Sequence, residues 1–130
     1  MLITRKSDYA IRIVRILRDG NVHNVREICS REDIPKAFAY KILREMEHQG
    51  LVSAERGNKG GYYLEGSLDD LTLYDIVALP EGDVSILHCM KEDCARNSSD
   101  SCKVHQEMAR IQDILITEMK RNPLSAILSR

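Results

Sequence analysis

Residues 50–64 read Gly50-Leu-Val-Ser-Ala-Glu-Arg56-Gly-Asn-Lys-Gly-Gly61-Tyr-Tyr-Leu64. Two short runs with β-branched and aromatic residues flank a glycine-rich tip, and this pattern predicts a β-hairpin. Arg56 and Lys59 stand at the tip, where two cations suit contact with phosphates or with the minor groove of DNA. The glycines by themselves carry no such meaning, because any tight turn with positive φ favours them. A nucleotide-binding loop is excluded, since the G-x-x-x-x-G-K pattern is absent.

The segment immediately before this hairpin predicts a helix that Pro35 opens and that runs to about His48. The residues of its outward face are Lys36, Ala37, Tyr40, Lys41 and Arg44, and those of its inward face are Phe38, Ile42, Leu43 and Met46. The outward face is typical of a helix that reads the DNA major groove, because a small residue permits close approach while cations reach phosphates or guanine edges. An ordinary solvated helix shows a similar face, so the pattern gains weight only from its neighbours.

Two further helices are predicted ahead of this one from capping residues and periodicity. Ser7 is expected to cap the first helix, which Asp19-Gly20 ends. The second helix is expected to begin at Asn24, because Asn24-Val-Arg-Glu27 resembles a capping box. The residues expected inside are Tyr9, Ala10, Ile13, Val14 and Leu17 of the first helix and Val25, Ile28 and Cys29 of the second.

Three helices followed by a hairpin predict a mainly α fold with a small β-hairpin wing, that is, a winged helix-turn-helix domain over residues 1–80. Thr72-Leu-Tyr-Asp75 is a further capping box, and the short helix that it opens is expected to pack on this domain and to stop before Pro80. The first sixty residues hold twelve Lys or Arg against eight Asp or Glu, a net of +4, although the whole chain has a net charge of −1. This asymmetry indicates a local surface for double-stranded DNA and argues against indiscriminate binding to polyanions.

The carboxyl-terminal part, residues 102–130, predicts a helix from Cys102 to Arg121 and a short closing segment. The apolar stripe of this helix consists of Val104, Met108, Ile111, Leu115 and Met119, widened by Ile114 and Ile116. One small domain can hardly cover such a stripe, and pairing with a second copy of the helix would cover it, so we expect a homodimer. The residues expected to fold back after Asn122-Pro123 are Leu124, Ile127 and Leu128. No apolar run approaches the ~20 residues of a membrane span, so no membrane partner is expected.

Between these two parts, residues 81–102 carry most of the cysteines. Cys89, Cys94, Cys102 and His105 fall within seventeen residues of otherwise polar sequence. Such a segment could not bury cysteine in an apolar core. No apolar signal segment follows Met1, so a reducing, cytoplasmic compartment is expected and disulfides are disfavoured. An iron–sulfur cluster, structural zinc and metal-free redox thiols remain as alternatives, and the wide cysteine spacing favours the cluster over zinc.

The expected start of the long helix supports a ligand set. Asp100 or Ser101 is expected to cap it, which would place Cys102 and His105 on one face of its first turn. The positive amino end of that helix favours an anionic, thiolate-ligated cluster. Cys29, by contrast, is expected to be a core residue and not a ligand, since a free cysteine usually behaves as a small hydrophobe. No nucleophile with a neighbouring base indicates an enzyme.

These segments together resemble the iron–sulfur cluster regulator (IscR) type of bacterial winged-helix transcription factor and its nitric-oxide-sensing NsrR-type relatives. The resemblance covers essentially the whole chain. It rests on Asp8-Tyr9-Ala10, Gly50-Leu51-Val52, Arg56-Gly57, Gly60-Gly61-Tyr62, Leu73 to Val77, and the three loop cysteines with Cys102-x2-His105. It implies a dimer that binds a cluster through three loop cysteines and a fourth ligand, and that changes its DNA affinity with the state of the cluster.

The resemblance implies His105 as the fourth ligand of a 2Fe–2S cluster, with 4Fe–4S as the alternative. In the nitric-oxide-sensing relatives an aspartate at the position of Asp8, reaching from the partner subunit, completes the set, and His88 is a third candidate. The gaps of four and seven residues between the cysteines depart from the even spacing common in such members. Tyr40 stands where the cluster-assembly regulators carry a glutamate that screens DNA motifs, so a different operator preference is expected.

The predicted function is a cytoplasmic, homodimeric, DNA-binding transcription regulator that reads a palindromic operator. It is expected to sense cluster status, oxygen or nitric oxide and to control iron–sulfur cluster assembly genes. The alternative is a winged-helix module for DNA or protein with a structural zinc and no sensing role.

Overall fold

The computed structural model describes residues 3–80, 82, 84–86 and 102–128. Its elements in chain order are α1 (Arg5–Leu17), α2 (Val25–Glu32), α3 (Lys36–His48), β1 (Val52–Glu55), β2 (Gly61–Leu64), α4 (Leu73–Ala78), α5 (Lys103–Met119) and α6 (Leu124–Ile127). The two strands pair antiparallel, with Val52 opposite Leu64 and Glu55 opposite Gly61. Three helices, a hairpin wing and a long carboxyl-terminal helix confirm the predicted mainly α winged-helix fold.

The main core lies among α1, α2, α3 and the first strand. Its fully buried members include Ile13, Leu17, Ile28, Leu43, Met46 and Val52. Burial of one such side chain contributes about 1.5–3 kcal/mol. Because the apolar face of α3 is committed to this core, its opposite face is left exposed.

α4 packs against α1 and closes one side of this core. The backbone N–H of Thr72 donates to the Asp75 carboxylate at 2.7 Å, and the Thr72 hydroxyl donates to the same carboxylate at 3.0 Å. The Thr72 side chain in turn accepts from the backbone N–H of Asp75, and these bonds confirm the predicted capping box. The hydroxyl of Ser7 in α1 donates to the carbonyl oxygen of Val77 at 3.3 Å, which ties the two helices together inside the protein.

Two predicted helix caps are wrong. The N-cap of α1 is Thr4, whose hydroxyl oxygen accepts a hydrogen bond from the backbone N–H of Ser7 at 3.2 Å. Ser7 therefore lies inside the helix, because Thr4 is an equally good cap one turn earlier. The N-cap of α5 is Cys102 itself, in extended backbone conformation, and not Asp100 or Ser101. Those two residues lie outside the described part of the chain.

The wing is anchored to the connection between α1 and α2. The backbone N–H of His23 donates to the carbonyl oxygen of Tyr62 at 2.9 Å, and the N–H of Tyr62 donates back to His23 at 2.8 Å. A Cβ atom on Gly61 would lie 2.2 Å from the carbonyl oxygen of His23, so this close approach requires glycine. The position of the wing is thereby linked to the start of α2.

α5 is attached along one side only. A second, small buried cluster consists of Val77, Ala78 and Val84. Ile116 and Met119 of α5 pack against it, and the side-chain oxygen of Gln112 accepts from the backbone N–H of Ile86 at 3.0 Å. No residue of α5 is itself buried. The helix is therefore held by its inward side while its outward side stays open.

The closing segment folds back on the winged domain, as predicted, and buries part of its apolar surface. Leu124 is 2% exposed, and its N–H donates to the carbonyl oxygen of Leu71 at 2.7 Å. Leu128 packs against the main core, whereas Ile127 is 44% exposed. The helix α6 is a single turn, and one turn cannot bury residues on every side. Within the described part of the chain, none of the helices has the length and apolar character needed to cross a bilayer.

Candidate nucleic-acid interface and metal ligands

The turn between α2 and α3 is set by its backbone. Asp33 adopts the left-handed conformation, with φ of 53°, which Asp tolerates better than most residues. The N–H groups of Asp33 and Ile34 both donate to the carbonyl oxygen of Cys29. Ile34 is buried. Pro35 is the N-cap of α3 and not its first helical residue, so the helix begins one residue later than predicted. The two helices are thus joined by the short turn of a helix-turn-helix.

The outward face of α3 consists of the residues predicted from the sequence. Its exposed members are Lys36, Ala37, Tyr40, Lys41 and Arg44. On the inward side Phe38 is half-buried and meets Tyr9 edge-to-face, with ring centroids 5.5 Å apart. The ammonium nitrogen of Lys36 lies 5.9 Å from the centroid of the Tyr40 ring, within cation–π range. The exposed face therefore combines cations with an aromatic ring.

The wing carries its two predicted cations in the turn between the strands. Arg56 and Lys59 are both exposed there. Gly57 has φ of 111°, and a Cβ atom on Gly60 would lie 2.3 Å from the carbonyl oxygen of Glu55. The tight tip therefore requires glycine at both positions, and it presents the two cations to solvent.

A surface groove of about 510 Å³ lies between the wing, α3 and the start of α2. Its lining includes the α2 N-cap Asn24 and Arg26 of α2, Lys36 and Tyr40 of α3, and Tyr62 of β2. Asn24 and Arg26 were missed as candidate contacts in the sequence. The signal was present, because the Asn24 cap marks the amino end of the first helix of the helix-turn-helix, and that helix crosses the DNA backbone. Helix amino ends also favour phosphate.

A charged cluster around one buried histidine, which we call the His23 cluster, lies at the base of the wing and comprises Asp19, His23, Glu27 and Arg31. His23 is 7% exposed; its Nε2 lies 2.9 Å from an Asp19 oxygen and its Nδ1 lies 3.0 Å from a Glu27 oxygen. Arg31 donates to the same Glu27 carboxylate at 3.2 Å. This cluster was not predicted from the sequence, although the spacing of four residues between its members was an available signal. Glu27 bonds His23 and Arg31, while Asn24 accepts from the Glu27 N–H at 2.8 Å.

The pKa values in this cluster move in opposite directions. Burial lowers the pKa of His23, but the hydrogen bonds to Asp19 and Glu27 outweigh it and raise that pKa above its ordinary value. The hydrogen bond from His23 is the main reason that the pKa of Glu27 is lowered. Burial raises the pKa of Asp19, and the bonds from His23 and Asn21 outweigh that effect, so its pKa is also lowered. The three groups therefore favour one charged state, a cation between two anions.

Two of the predicted metal ligands lie at the start of α5. Cys102 is exposed, and its side chain makes no capping hydrogen bond, so the helix does not use the thiol. His105 is half-buried in the first helical turn, three residues further on, and residues at this spacing share one helix face. The positive end of a helix stabilises a thiolate. A cysteine and a histidine one helical turn apart are residue types that fit the donor set of an iron–sulfur site.

The other predicted ligands cannot be placed together. Cys89, Cys94 and the weaker candidate His88 lie outside the described residues. Among the residues that the structure does describe, no three His, Cys, Asp or Glu side chains form a metal-binding group. Asp8, the alternative fourth ligand, is in α1 and forms a salt bridge to Arg12 at 3.0 Å.

Cys29 has the surroundings expected of a structural cysteine. It is half-buried and packs against the main core. Burial raises the pKa of its thiol, which keeps it protonated and unreactive near neutral pH. The predicted inward position is confirmed, and its exclusion from the ligand set stays a prediction.

Residues 3–130 match the model of the Rrf2 family, described as an iron-dependent transcriptional regulator. The chain belongs to the Rrf2 family. The match spans the winged domain, the cysteine-rich segment and α5, and it confirms the family resemblance predicted from the sequence. This Rrf2 protein is therefore a DNA-binding transcription regulator. The prediction that it is not an enzyme is confirmed as well.

Curated relatives agree with this assignment. An rrf2-like HTH-type transcriptional regulator of Rhodobacter capsulatus is 26% identical over 121 residues, which cover 85% of this chain and 81% of the relative. The HTH-type transcriptional regulator NsrR of Bacillus subtilis is 28% identical over 92 residues, which cover 68% of this chain and 63% of the relative.

Solved structures show the same Rrf2 fold. CymR (YrzC), the global cysteine regulator of B. subtilis, superposes with a TM-score of 0.79 at 21% identity, covering 99% of this chain and 97% of that one. T. potens IscR superposes with a TM-score of 0.76 at 17% identity, covering 98% and 86%. At these identities the likeness concerns the arrangement of the winged domain and the carboxyl-terminal helix.

Proposed function

We propose that this Rrf2 protein is a homodimer whose affinity for a palindromic operator depends on an iron–sulfur cluster, and that it controls cluster assembly genes. The ligands are Cys89, Cys94, Cys102 and His105, and the cluster is 2Fe–2S. The observation that carries the proposal is the pair Cys102 and His105 at the amino end of α5, continuous in sequence with two more cysteines. The description of the family as iron-dependent favours iron over zinc. A bound cluster supplies an inorganic centre that oxygen or nitric oxide can alter.

The fold alone does not select the signal, because its structural neighbours include one titled global cysteine regulator and one titled IscR. Our choice of an iron–sulfur cluster as the sensor rests on the cysteines of residues 89–102. These thiols stand among Lys, Asp, Asn and Ser, which offer no apolar burial, so a bound metal centre gives them a role that packing does not.

His105 is preferred to Asp8 as the fourth ligand because of the surroundings of each. His105 stands one helical turn from Cys102. Asp8 is already paired with Arg12, and ligation of its carboxylate would break that ion pair and leave the guanidinium with its hydrogen bond to the Glu32 carbonyl oxygen. The bridge is about half exposed and therefore worth only ~0–1 kcal/mol, so Asp8 of a second subunit is the alternative that an experiment must separate.

The DNA-contacting surface of the proposal combines α3 with the wing tip. Its residues are Lys36, Ala37, Tyr40, Lys41, Arg44, Arg56 and Lys59. The winged domain of residues 1–80 is followed by the cluster loop of residues 81–102 and by the dimerisation helix and tail of residues 102–130. The exposed apolar residues of α5 provide the surface for a second copy; they are Val104 at 67%, Ile111 at 40% and Ile114 at 52% exposure.

α5 is the element through which the ligand site acts on DNA binding. Its amino end carries Cys102 and His105, its outward side faces the second copy, and its inward side packs on α4. A two-headed reader needs its recognition helices about one DNA turn apart, ~34 Å, so a small shift of α5 changes how both copies of α3 fit the operator. Coupling of this kind is typically ~1–3 kcal/mol, or roughly five- to 150-fold in affinity.

The test is an oxygen-free purification followed by operator titration at one salt concentration. Iron, sulfide and zinc are measured in the wild type and in Cys89→Ala, Cys94→Ala, Cys102→Ala, His105→Ala, Asp8→Ala and the control Cys29→Ala. We expect the three loop-cysteine variants and His105→Ala to lose iron, while Asp8→Ala and Cys29→Ala keep it. Mössbauer and absorption spectra identify the cluster type. A colourless wild-type protein with stoichiometric zinc would establish the structural-zinc alternative.

The titration compares cluster-loaded protein, cluster-free protein and Cys102→Ala on an operator selected from random duplexes. We expect the loaded form to differ from the other two by roughly five- to 150-fold. The proposed DNA surface is tested by a triple variant that combines Lys41→Ala, Arg44→Ala and Arg56→Ala. Each lost phosphate contact should lower the slope of log affinity against log salt concentration by about one, and a lost base contact should cost ~1–3 kcal/mol of binding free energy. Equal affinities for all forms would leave the cluster as a structural staple, and an unaffected triple variant would rule out the surface.

A further inference from the structure

The His23 cluster has a geometry that only one protonation state satisfies. Both ring nitrogens of His23 face carboxylate oxygens, Nε2 toward Asp19 at 2.9 and 3.0 Å and Nδ1 toward Glu27 at 3.0 Å. A neutral imidazole has one N–H and one lone pair, so it can donate to only one of the two carboxylates. The imidazolium donates to both, and charge-assisted bonds of this kind are roughly twice as strong as neutral ones.

The charged groups around His23 come from each element that packs on it. Asp19 stands just beyond the end of α1, and Glu27 is in the first turn of α2, where Arg31 also binds it. The wing contributes the Tyr62 backbone, which bonds the backbone of His23, while the Tyr62 phenol is coupled to Glu47 and Arg44 and has its pKa raised mainly by burial, so it stays neutral below strongly alkaline pH. His23 is thus the group in this cluster that changes charge near neutral pH.

The backbone of the same histidine holds the wing. His23 and Tyr62 exchange two backbone hydrogen bonds, and Gly61 lets β2 approach closely enough for them to form. The next residue along from His23 is Asn24, which caps α2 and lines the groove together with Tyr62. A shift of residue 23 therefore moves the wing and the start of α2 together.

We propose that His23 is a positioning residue for DNA binding, which as an imidazolium clamps the end of α1 to the start of α2 and so sets the wing against α3. DNA affinity therefore falls when His23 loses its proton. This inference rests on the proposed function in one respect, namely that the wing tip contacts DNA.

The direction of the pH effect follows from the raised pKa of His23. The clamp is fully present below the unfolded-state value of about 6.5 and is lost as the pH rises through the higher folded value. We expect operator affinity to fall by about fivefold to tenfold between about pH 6 and about pH 9 through this group. Asp19 and Glu27 stay ionised throughout that range because their pKa values are lowered.

The experiment measures operator affinity against pH for the wild type, His23→Gln, Asp19→Asn and the control His48→Gln, all in one measured cluster state. His48 is exposed at the end of α3, so its variant controls for the loss of a histidine. NMR of the His23 ring gives its protonation in the three proteins that retain it, and circular dichroism reports folding of all four at each pH. We expect the His48 variant to keep the wild-type dependence of affinity on pH. Asp19→Asn should move the midpoint of that dependence to lower pH. His23→Gln should remove the His23-dependent change, so that its affinity stays at the weaker value that the wild type reaches at high pH.

A second arm separates this inference from the proposed function. In the variant Arg56→Ala, Lys59→Ala the wing tip has lost its cations, so affinity should fall and the His23-dependent part of the pH profile should vanish. A profile that persists in this variant would show that His23 acts through its charge and not through the wing, and would overturn the inference. If the variant binds DNA as tightly as the wild type, the wing contact itself fails. A His23→Gln profile identical to the wild-type profile would refute the role of His23 while leaving the DNA surface intact.

Discussion

The winged domain and α5 have equally regular apolar patterns, yet their apolar residues end in different places. Ile13, Leu43 and Met46 of the winged domain are 0% exposed. Val104 and Ile114 of α5 are 67% and 52% exposed, and no residue of α5 is buried. Periodicity therefore identifies the apolar face of a helix, but it does not say which partner covers that face.

The winged domain and α5 also differ in what covers their apolar residues. The winged domain covers its own apolar residues with α4, α6 and the wing, so its fold depends on this chain alone. α5 packs on that domain only through residues such as Ile116 and Met119 and leaves its outward side open. The cluster sensing and the dimer formation that we propose both involve α5, whose exposed apolar side can be covered only by a second molecule.

The largest expected effect contrasts the two parts directly. Leu43→Ala should lower the free energy of unfolding by about 3 kcal/mol, because it leaves a cavity in a fully packed core. Ile111→Ala, measured by urea unfolding at a concentration where the chain is monomeric, should cost under ~0.5 kcal/mol, as surface substitutions do. Similar costs for the two variants would mean that α5 is covered by its own chain.

The next effect tests what covers α5. Ile114→Glu places a charge in the exposed apolar stripe and should dissociate the dimer in sedimentation experiments, because burial of an unpaired charge is unfavourable. Operator affinity should then fall by about 100-fold through loss of two-site binding, or about 2.7 kcal/mol. Thr117→Glu, at an exposed polar position outside the apolar stripe, is the matched control for an added charge and should leave both properties unchanged. A monomeric wild type would refute the dimer outright.

Much of the fold was predictable because it depends on local pattern. The inward positions of α1 and α3 and the Thr72–Asp75 box follow from spacing and residue type alone. The start of α1 was not predictable from local pattern, because Thr4 and Ser7 are both good caps. Only the burial of Ser7 against Val77 distinguishes them. Local signals of equal strength are decided by tertiary packing.

The candidate site shows the same limit. The cations of α3 and of the wing tip could be named from the sequence because exposure follows from amphipathic pattern. The four-residue spacing of the His23 cluster was also visible in the sequence, but its link to the wing was not, because that link is a backbone pairing with Tyr62, which is distant in the sequence. The ligand set remains a prediction, since only Cys102 and His105 of it fall within the described residues.

The smallest effect is expected at the contact that joins the two parts. The ammonium nitrogen of Lys120, the C-cap of α5, lies 4.3 Å from the centroid of the Tyr74 ring on α4. A cation–π contact at an exposed site is worth about 0.5–1 kcal/mol, and Lys120→Gln removes the cation while it keeps most of the side-chain length. Hydrogen exchange should therefore speed up in the last turns of α5 by a few-fold and stay unchanged in α3.

Lys103→Gln, at the opposite end of α5, is the matched control for loss of one lysine charge and should not change exchange in the last turns. The effect of Lys120→Gln is small because Ile116 and Met119 still pack on the Val77 cluster, and apolar burial there outweighs one exposed cation. Faster exchange in α3 together with α5 would mean that the two parts open as one cooperative unit. Exchange confined to α5 would instead identify the α4–α5 contact as the place where a change at the ligand site reaches the winged domain without unfolding it.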